Sequence, residues 1–147
     1  MTRLDPGVRI VEVGPRDGLQ NIKQPVPTDV KIEFIQRLRE AGLQVIELTS
    51  VVSPKRIPQL ADCQQVLTHP AINALLQRPH DLRLPVLIPN IKGLEIALSH
   101  GVSEVAVFVS ATEGFSKANT NCSVEQGIQR ARSVATAAIA ANVAVRG

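Results

Sequence analysis

Val11-Glu12-Val13-Gly14-Pro15-Arg16-Asp17-Gly18-Leu19-Gln20-Asn21 is the stretch on which the reading of this chain turns. Val8 to Val13, which lead into it, are mostly β-branched and read as a strand, because such side chains fill a pleated, buried surface. Gly14-Pro15 then ends the strand, since proline has no N–H to give to a ladder. A cation (Arg16), a carboxylate (Asp17) and two amides (Gln20, Asn21) follow within one short turn. Placed at the mouth of a buried strand, Arg16 and Asp17 suit an anionic substrate held beside a divalent metal, with Gln20 as a further substrate-binding candidate. A bare Arg-Asp-Gly would equally read as an ion pair in a turn.

Outward from this turn, short β-branched runs alternate with longer amphipathic ones. Thr28 after Pro27 is placed as an N-cap, and Val30, Phe34, Ile35 and Leu38 recur at helical spacing until Gly42. Val45 to Leu48 reads as strand two, followed by the Ser53-Pro54 break and a polar helix over about 59–67. Leu82 to Ile88 is strand three, stopped by Pro89-Asn90, with a short helix over 93–99. Val105 to Val109 is strand four, and residues 110–121 read as a long polar loop. Ser123 and Gln126 make a capping box for an alanine-rich helix to about Asn142. Val143-Ala144-Val145 reads as the start of a fifth strand.

Such alternation predicts parallel βα units. A doubly wound sheet needs a glycine-rich phosphate turn after strand one, and residues 14–18 have neither the glycine spacing nor an immediate helix start. In a (β/α)8 TIM barrel, function gathers at the C-terminal ends of the strands. Here those ends carry Arg16-Asp17, Glu47-Leu48-Thr49-Ser50, Pro89-Asn90 and Ser110-Ala111-Thr112-Glu113. The expected fold class is therefore α/β of the TIM-barrel type. A barrel needs roughly 250 residues, so residues 1–147 are expected to be the N-terminal part of one barrel, truncated to about four βα units plus the start of a fifth strand.

The chain has 147 residues, 44% hydrophobic and 20% charged, a globular balance. Aromatic residues are only 2%, so packing must rest on Ile, Leu, Val and Ala. The net charge is +3, but the basic residues are scattered and few aromatics lie among them, which argues against nucleic-acid binding. Cys63 and Cys122 are far apart and form neither a disulfide framework nor a zinc spacing. His69, His80 and His100 are isolated from one another. No apolar run is long enough to span a bilayer and no targeting segment precedes strand one, so no membrane partner and a cytoplasmic location are expected.

Among residues that can carry chemistry, Glu47 is charged within the apolar run Val45-Ile46-Glu47-Leu48. If buried near Asp17 it must be paired, protonated or metal-linked. Asn90 has two open readings, an amide donor to a thioester or carboxylate and a cap of the next helix. Ser50, Ser53, Lys55, Lys117, Asn119 and Asn121 read as turn and loop residues, with rim contacts to an acyl or phosphate group as the alternative.

The stretch 11–21 closely resembles the signature of 3-hydroxy-3-methylglutaryl-CoA lyases. Residues 47–55, 85–93 and 115–123 resemble that family's second, third and fourth strand segments, in the same order and at similar spacing. The resemblance implies Asp17 as a ligand of Mg2+ or Mn2+, Arg16 as a substrate-contacting arginine and Glu47 as the strand-two acidic residue, so these three are the expected catalytic residues; Gln20 and Asn90 stand beside Arg16 as expected substrate contacts. It implies an acyl-CoA substrate and retro-Claisen cleavage to acetyl-CoA and acetoacetate. Ile22 departs from the pattern, where the family usually has an acidic residue. The family's His-x-His pair, its asparagine ligand and its catalytic cysteine belong to the second half and have no counterpart here; Cys122 does not match that cysteine. Expected partners are therefore a second copy of the chain or a complementing half-barrel. A non-catalytic half-barrel binding CoA-like anions and a related condensing synthase are the alternatives.

Overall fold

Five short segments run parallel, each beside the one that precedes it in the chain. The computed structural model describes residues 8–77 and 82–147. Glu12 bridges Ile46, Val45 bridges Arg83 and Ser50 bridges Leu87, all parallel. Strand β1 (Val86–Leu87) pairs with β2 (Glu104–Ala106), and β2 with β3 (Ala144–Arg146), again parallel. A helical crossover returns the chain between each pair, as parallel pairing requires. Neighbours that stay in chain order, without reversal, follow the winding of a barrel and not that of a doubly wound sheet.

The regular ladder is narrower than the apolar runs suggest. Residues 8–13 join the sheet only around Glu12, whose N–H donates to Val45 and whose carbonyl accepts from Glu47. Pro85 interrupts the third run; it offers no N–H, and its carbonyl accepts from Leu48 at 3.0 Å.

The alternation along the strands separates two faces. Ile46, Leu48, Leu84, Val86, Ile88, Val105 and Val143 point into the main core. There they meet Ile32 and Ile35 of α1 (Thr28–Glu40), Leu67 of α2 (Cys63–Thr68), Ile72 of α3 (Pro70–Leu76) and Leu94 of α4 (Ile91–Ser99). Val134 and Ala138 of α6 (Val124–Ala140) complete it. The alternate residues Val45, Arg83, Leu87, Ala106 and Arg146 are linked by register on the opposite face, the inward face of a barrel.

Several local expectations are corrected. Residues 14–18 do begin a helical turn at once: three N–H groups, of Arg16, Asp17 and Gly18, converge on the Val13 carbonyl, and Leu19 and Gln20 continue as helix. Thr28 is not an N-cap, because its hydroxyl donates to Asp62 Oδ2 at 2.8 Å. Buried Lys31 joins it there, donating to Asp62 Oδ1 and to the Gln59 carbonyl, both at 2.6 Å, which ties α1 to the turn before α2. The polar helix expected over 59–67 is a 3-10 turn (Pro58–Leu60) followed by α2, and a further helix, α3, not expected from the sequence, begins at Pro70, which cannot continue the α2 ladder. Residues 110–121 are not all loop. Helix α5 (Glu113–Thr120) forms there, capped by the Thr112 hydroxyl and closed by Asn121 in the left-handed region. The Ser123–Gln126 capping box is present as expected. His80 lies outside the described residues. No helix among the described residues is long and apolar enough to cross a membrane.

Candidate active site

Gly14 sets the turn that carries Arg16 and Asp17. Its N–H donates to Glu12 Oε1 at 2.6 Å. A Cβ there would lie 2.8 Å from that oxygen and 3.2 Å from the Phe34 ring, so a larger residue would have to displace the Glu12 carboxylate and push on α1. This single π-helical turn (Gly14–Gly18) then presents Arg16 toward the second segment and leaves Asp17 at the rim.

Four charged side chains meet in series. Asp17 Oδ1 accepts from Arg16 Nη1 at 2.8 Å. Arg16 Nε donates to Glu47 Oε1, and Arg146 Nη2 donates to Glu47 Oε2. Glu47 is 0% exposed, whereas the Asp17 side chain is 53% exposed. A buried carboxylate with no partner would be strongly disfavoured; here each oxygen accepts from a guanidinium, and the two Arg and two acidic groups balance. The series runs from the rim into the inward face at the C-terminal ends of the segments, where βα-barrel sites are built.

The remaining residues fall outside this series. Gln20 is half-buried at the end of the turn, and Asn21 donates to the Asp17 carbonyl at 2.7 Å, bracing the turn. Asn90 caps α4: its Oδ1 accepts from the Gly93 N–H at 3.0 Å, which leaves its Nδ2 hydrogens free among the described residues. Ser50 is buried and donates to the Leu87 carbonyl, so it serves the sheet. Cys122 is closed off, 4% exposed; the Thr120 hydroxyl hydrogen bond lowers its thiol pKa. Burial pushes the Cys63 thiol up.

Two charged features were missed from sequence. Arg146 follows the apolar run 143–145, and its alternation with Ala144 places it on the Glu47 face; a charge at the end of an apolar strand was the available signal. Arg83 and Glu104 form a second pair on that face, near the strand N-terminal ends, with Nε to Oε2 at 2.7 Å.

The described residues do not make a divalent-metal centre by themselves. No three His, Cys, Asp or Glu side chains among them come together around one point. Asp17 offers one exposed carboxylate, with Oδ1 engaged by Arg16.

Fold and site together define a parallel βα-barrel protein with an arginine–carboxylate cluster at the strand ends. The chain belongs to the HMGL-like family, which matches residues 7–147. It is 56% identical over 140 residues to the mitochondrial hydroxymethylglutaryl-CoA lyase of Arabidopsis thaliana, covering 95% of this chain and 29% of the relative. It is 51% identical over 140 residues to the cytoplasmic 3-hydroxy-3-methylglutaryl-CoA lyase of Rattus norvegicus, covering 95% and 39%. Among solved structures, the HMG-CoA lyase of Brucella melitensis superposes with a TM-score of 0.83 at 47% identity, over 95% of this chain and 48% of that one. An HMG-CoA lyase from Acinetobacter baumannii, in complex with coenzyme A and 3-methylmalate, gives 0.82 at 32% identity, over 99% and 45%. The chain thus spans less than half the length of each of these proteins.

Proposed function

We propose that this chain contributes the first half of a hydroxymethylglutaryl-CoA lyase site, cleaving 3-hydroxy-3-methylglutaryl-CoA to acetyl-CoA and acetoacetate. We read residues 1–147 as the N-terminal part of a single barrel. The observation that carries the proposal is the Asp17–Arg16–Glu47 series at the strand ends, in a chain about half identical to lyases of that name.

In such a cleavage a base takes the proton of the tertiary hydroxyl. The alkoxide collapses to the ketone of acetoacetate, and the electron pair of the broken carbon–carbon bond passes to the acetyl-CoA enolate, which is then protonated. Arg16 fits the stabilisation of that enolate oxygen, since its planar fork stays cationic and is shielded from solvent on the Glu47 side. Both oxygens of Glu47 are occupied, so its proposed part is to hold Arg16 and not to move the proton. Asp17 is proposed as one ligand of Mg2+ or Mn2+, the others coming from outside the described residues. When bound, that ion would act as a Lewis acid toward substrate oxygens. Gln20 and the free Asn90 amide are proposed substrate donors. The relatives carry both mitochondrial and cytoplasmic names; the cytoplasmic location, the role in leucine degradation and assembly with a second copy or a complementing half-barrel are proposals at the same level.

The test is acetoacetate release from 3-hydroxy-3-methylglutaryl-CoA with Mg2+ or Mn2+, on the chain alone and with the remaining barrel half supplied. Asp17→Ala should abolish it in whichever preparation turns over. Because the Asp17 side chain is largely exposed, its loss should change folding stability by no more than about 0.5 kcal/mol. Normal turnover in the variant would refute the assignment.

A further inference from the structure

Glu104 and Glu47, both on the inward face, are each paired with arginine, and the pairings are built differently. Arg83 closes a two-bond fork on Glu104, with Nε to Oε2 and Nη2 to Oε1. Arg16 makes a single bond to Glu47 through Nε, and its Nη2 has no acceptor among the described residues. A guanidinium facing a carboxylate favours the planar two-bond fork, as Arg83 shows within this chain. At Glu47 the second oxygen accepts instead from Arg146 Nη2.

Arg146 is poorly served by the arrangement. Its Nε is buried and has no hydrogen-bond partner among the described residues, which is unfavourable for a polar group and unusual enough to need a reason.

We propose that Arg146 is a positioning residue: by occupying one oxygen of Glu47 it keeps Arg16 from closing a fork there and leaves Arg16 Nη2 open to a carboxylate or thioester oxygen of the substrate. The ligand in this statement rests on the lyase reading above; the control of Arg16 does not. Charge acts in the same direction. Asp17, Arg16, Glu47 and Arg146 sum to zero, and without Arg146 the cluster carries a net negative charge that repels an anion.

The experiment is nitrogen-resolved NMR of arginine side chains in this chain, with the Arg16 signals assigned by their loss in Arg16→Lys. In Arg146→Met, the Arg16 Nη2 protons should exchange with water about tenfold more slowly, as the fork closes. Titration with 3-hydroxy-3-methylglutarate, followed at Arg16 Nε–H, should need about tenfold more of the probe. Arg146→Lys restores one donor and one charge, which is all that Glu47 receives from Arg146, and should return both readouts to within about threefold of the parent. A folded Arg146→Met chain with unchanged Arg16 exchange would overturn the proposal. Should that variant not fold, a closed fork on Arg16 in Arg146→Lys would overturn it and an open one would support it. A parent chain that ignores 3-hydroxy-3-methylglutarate would count against the substrate reading alone, because the Arg16 exchange comparison still decides the role of Arg146.

Discussion

Glu47→Gln removes one charge and almost no volume from the centre of the site. In the parent, a fully buried carboxylate accepts from two guanidiniums. Hydrogen bonds to charged groups contribute about 1.5–3 kcal/mol each. The amide keeps one acceptor oxygen but turns a donor toward the other arginine, and the cluster goes from neutral to a net positive charge. Water reaching Arg146, whose side chain is 32% exposed, and to a lesser degree Arg16 at 17%, recovers part of the loss. The balance is a destabilisation of about 3 kcal/mol. Urea unfolding at pH 7 should show it as a lower midpoint with an unchanged slope, and thermal unfolding as a Tm lower by about 6–12 °C. Adding Arg146→Met to Glu47→Gln takes away a cation that no longer has a counterion. The double variant should therefore be less destabilised than the sum of the two single ones, by at least about 1 kcal/mol. A single-variant loss below about 1 kcal/mol, or strict additivity in the cycle, would refute the paired geometry on which the site is built.

Asn90 can be divided into its two roles. Asn90→Asp keeps an acceptor for the Gly93 N–H but gives up the amide donor, so stability should hold while turnover in the assay of the proposed lyase function falls. Asn90→Ala should lose both, with about 1 kcal/mol of stability; equal turnover in the two variants and the parent would assign Asn90 to capping alone. Cys63 supplies a pH dependence. Burial raises its folded pKa above the ordinary thiol value of 9.0, so the folded chain holds the proton more tightly than the unfolded one. That contribution is complete below the ordinary value and is lost as pH rises through the folded one. Tm should therefore fall on the alkaline side of pH 9, and Cys63→Val should flatten that limb; an identical alkaline slope in the variant would show that another group is responsible.

Sequence periodicity located the four crossovers and the order of the parallel segments, because a pattern of buried side chains is written directly into hydrophobic spacing. Its misreadings have separate physical causes. Helix α5 was read as loop because its small and polar residues bury little beyond Ser116, so no apolar stripe announces it. The break at Pro70 is a local signal that the helical spacing passed over, whereas the binding of Thr28 and Lys31 to Asp62 depends on which loop lies beside which helix, a matter of packing between residues some thirty positions apart. Strand lengths were overestimated because β-branched runs mark burial, whereas a ladder needs a partner in register, and Pro85 denies one.

The site divides along the same line. From the sequence alone came the family resemblance, the Arg16-Asp17 turn and the oddity of Glu47 in an apolar strand, all local in the chain. What only the tertiary structure decided is that Glu47 is shared. Arg16 reaches it across 31 positions and Arg146 across 99. Pairing at such separations is set by the register of parallel strands and the closure of their crossovers, which no local pattern of residues encodes.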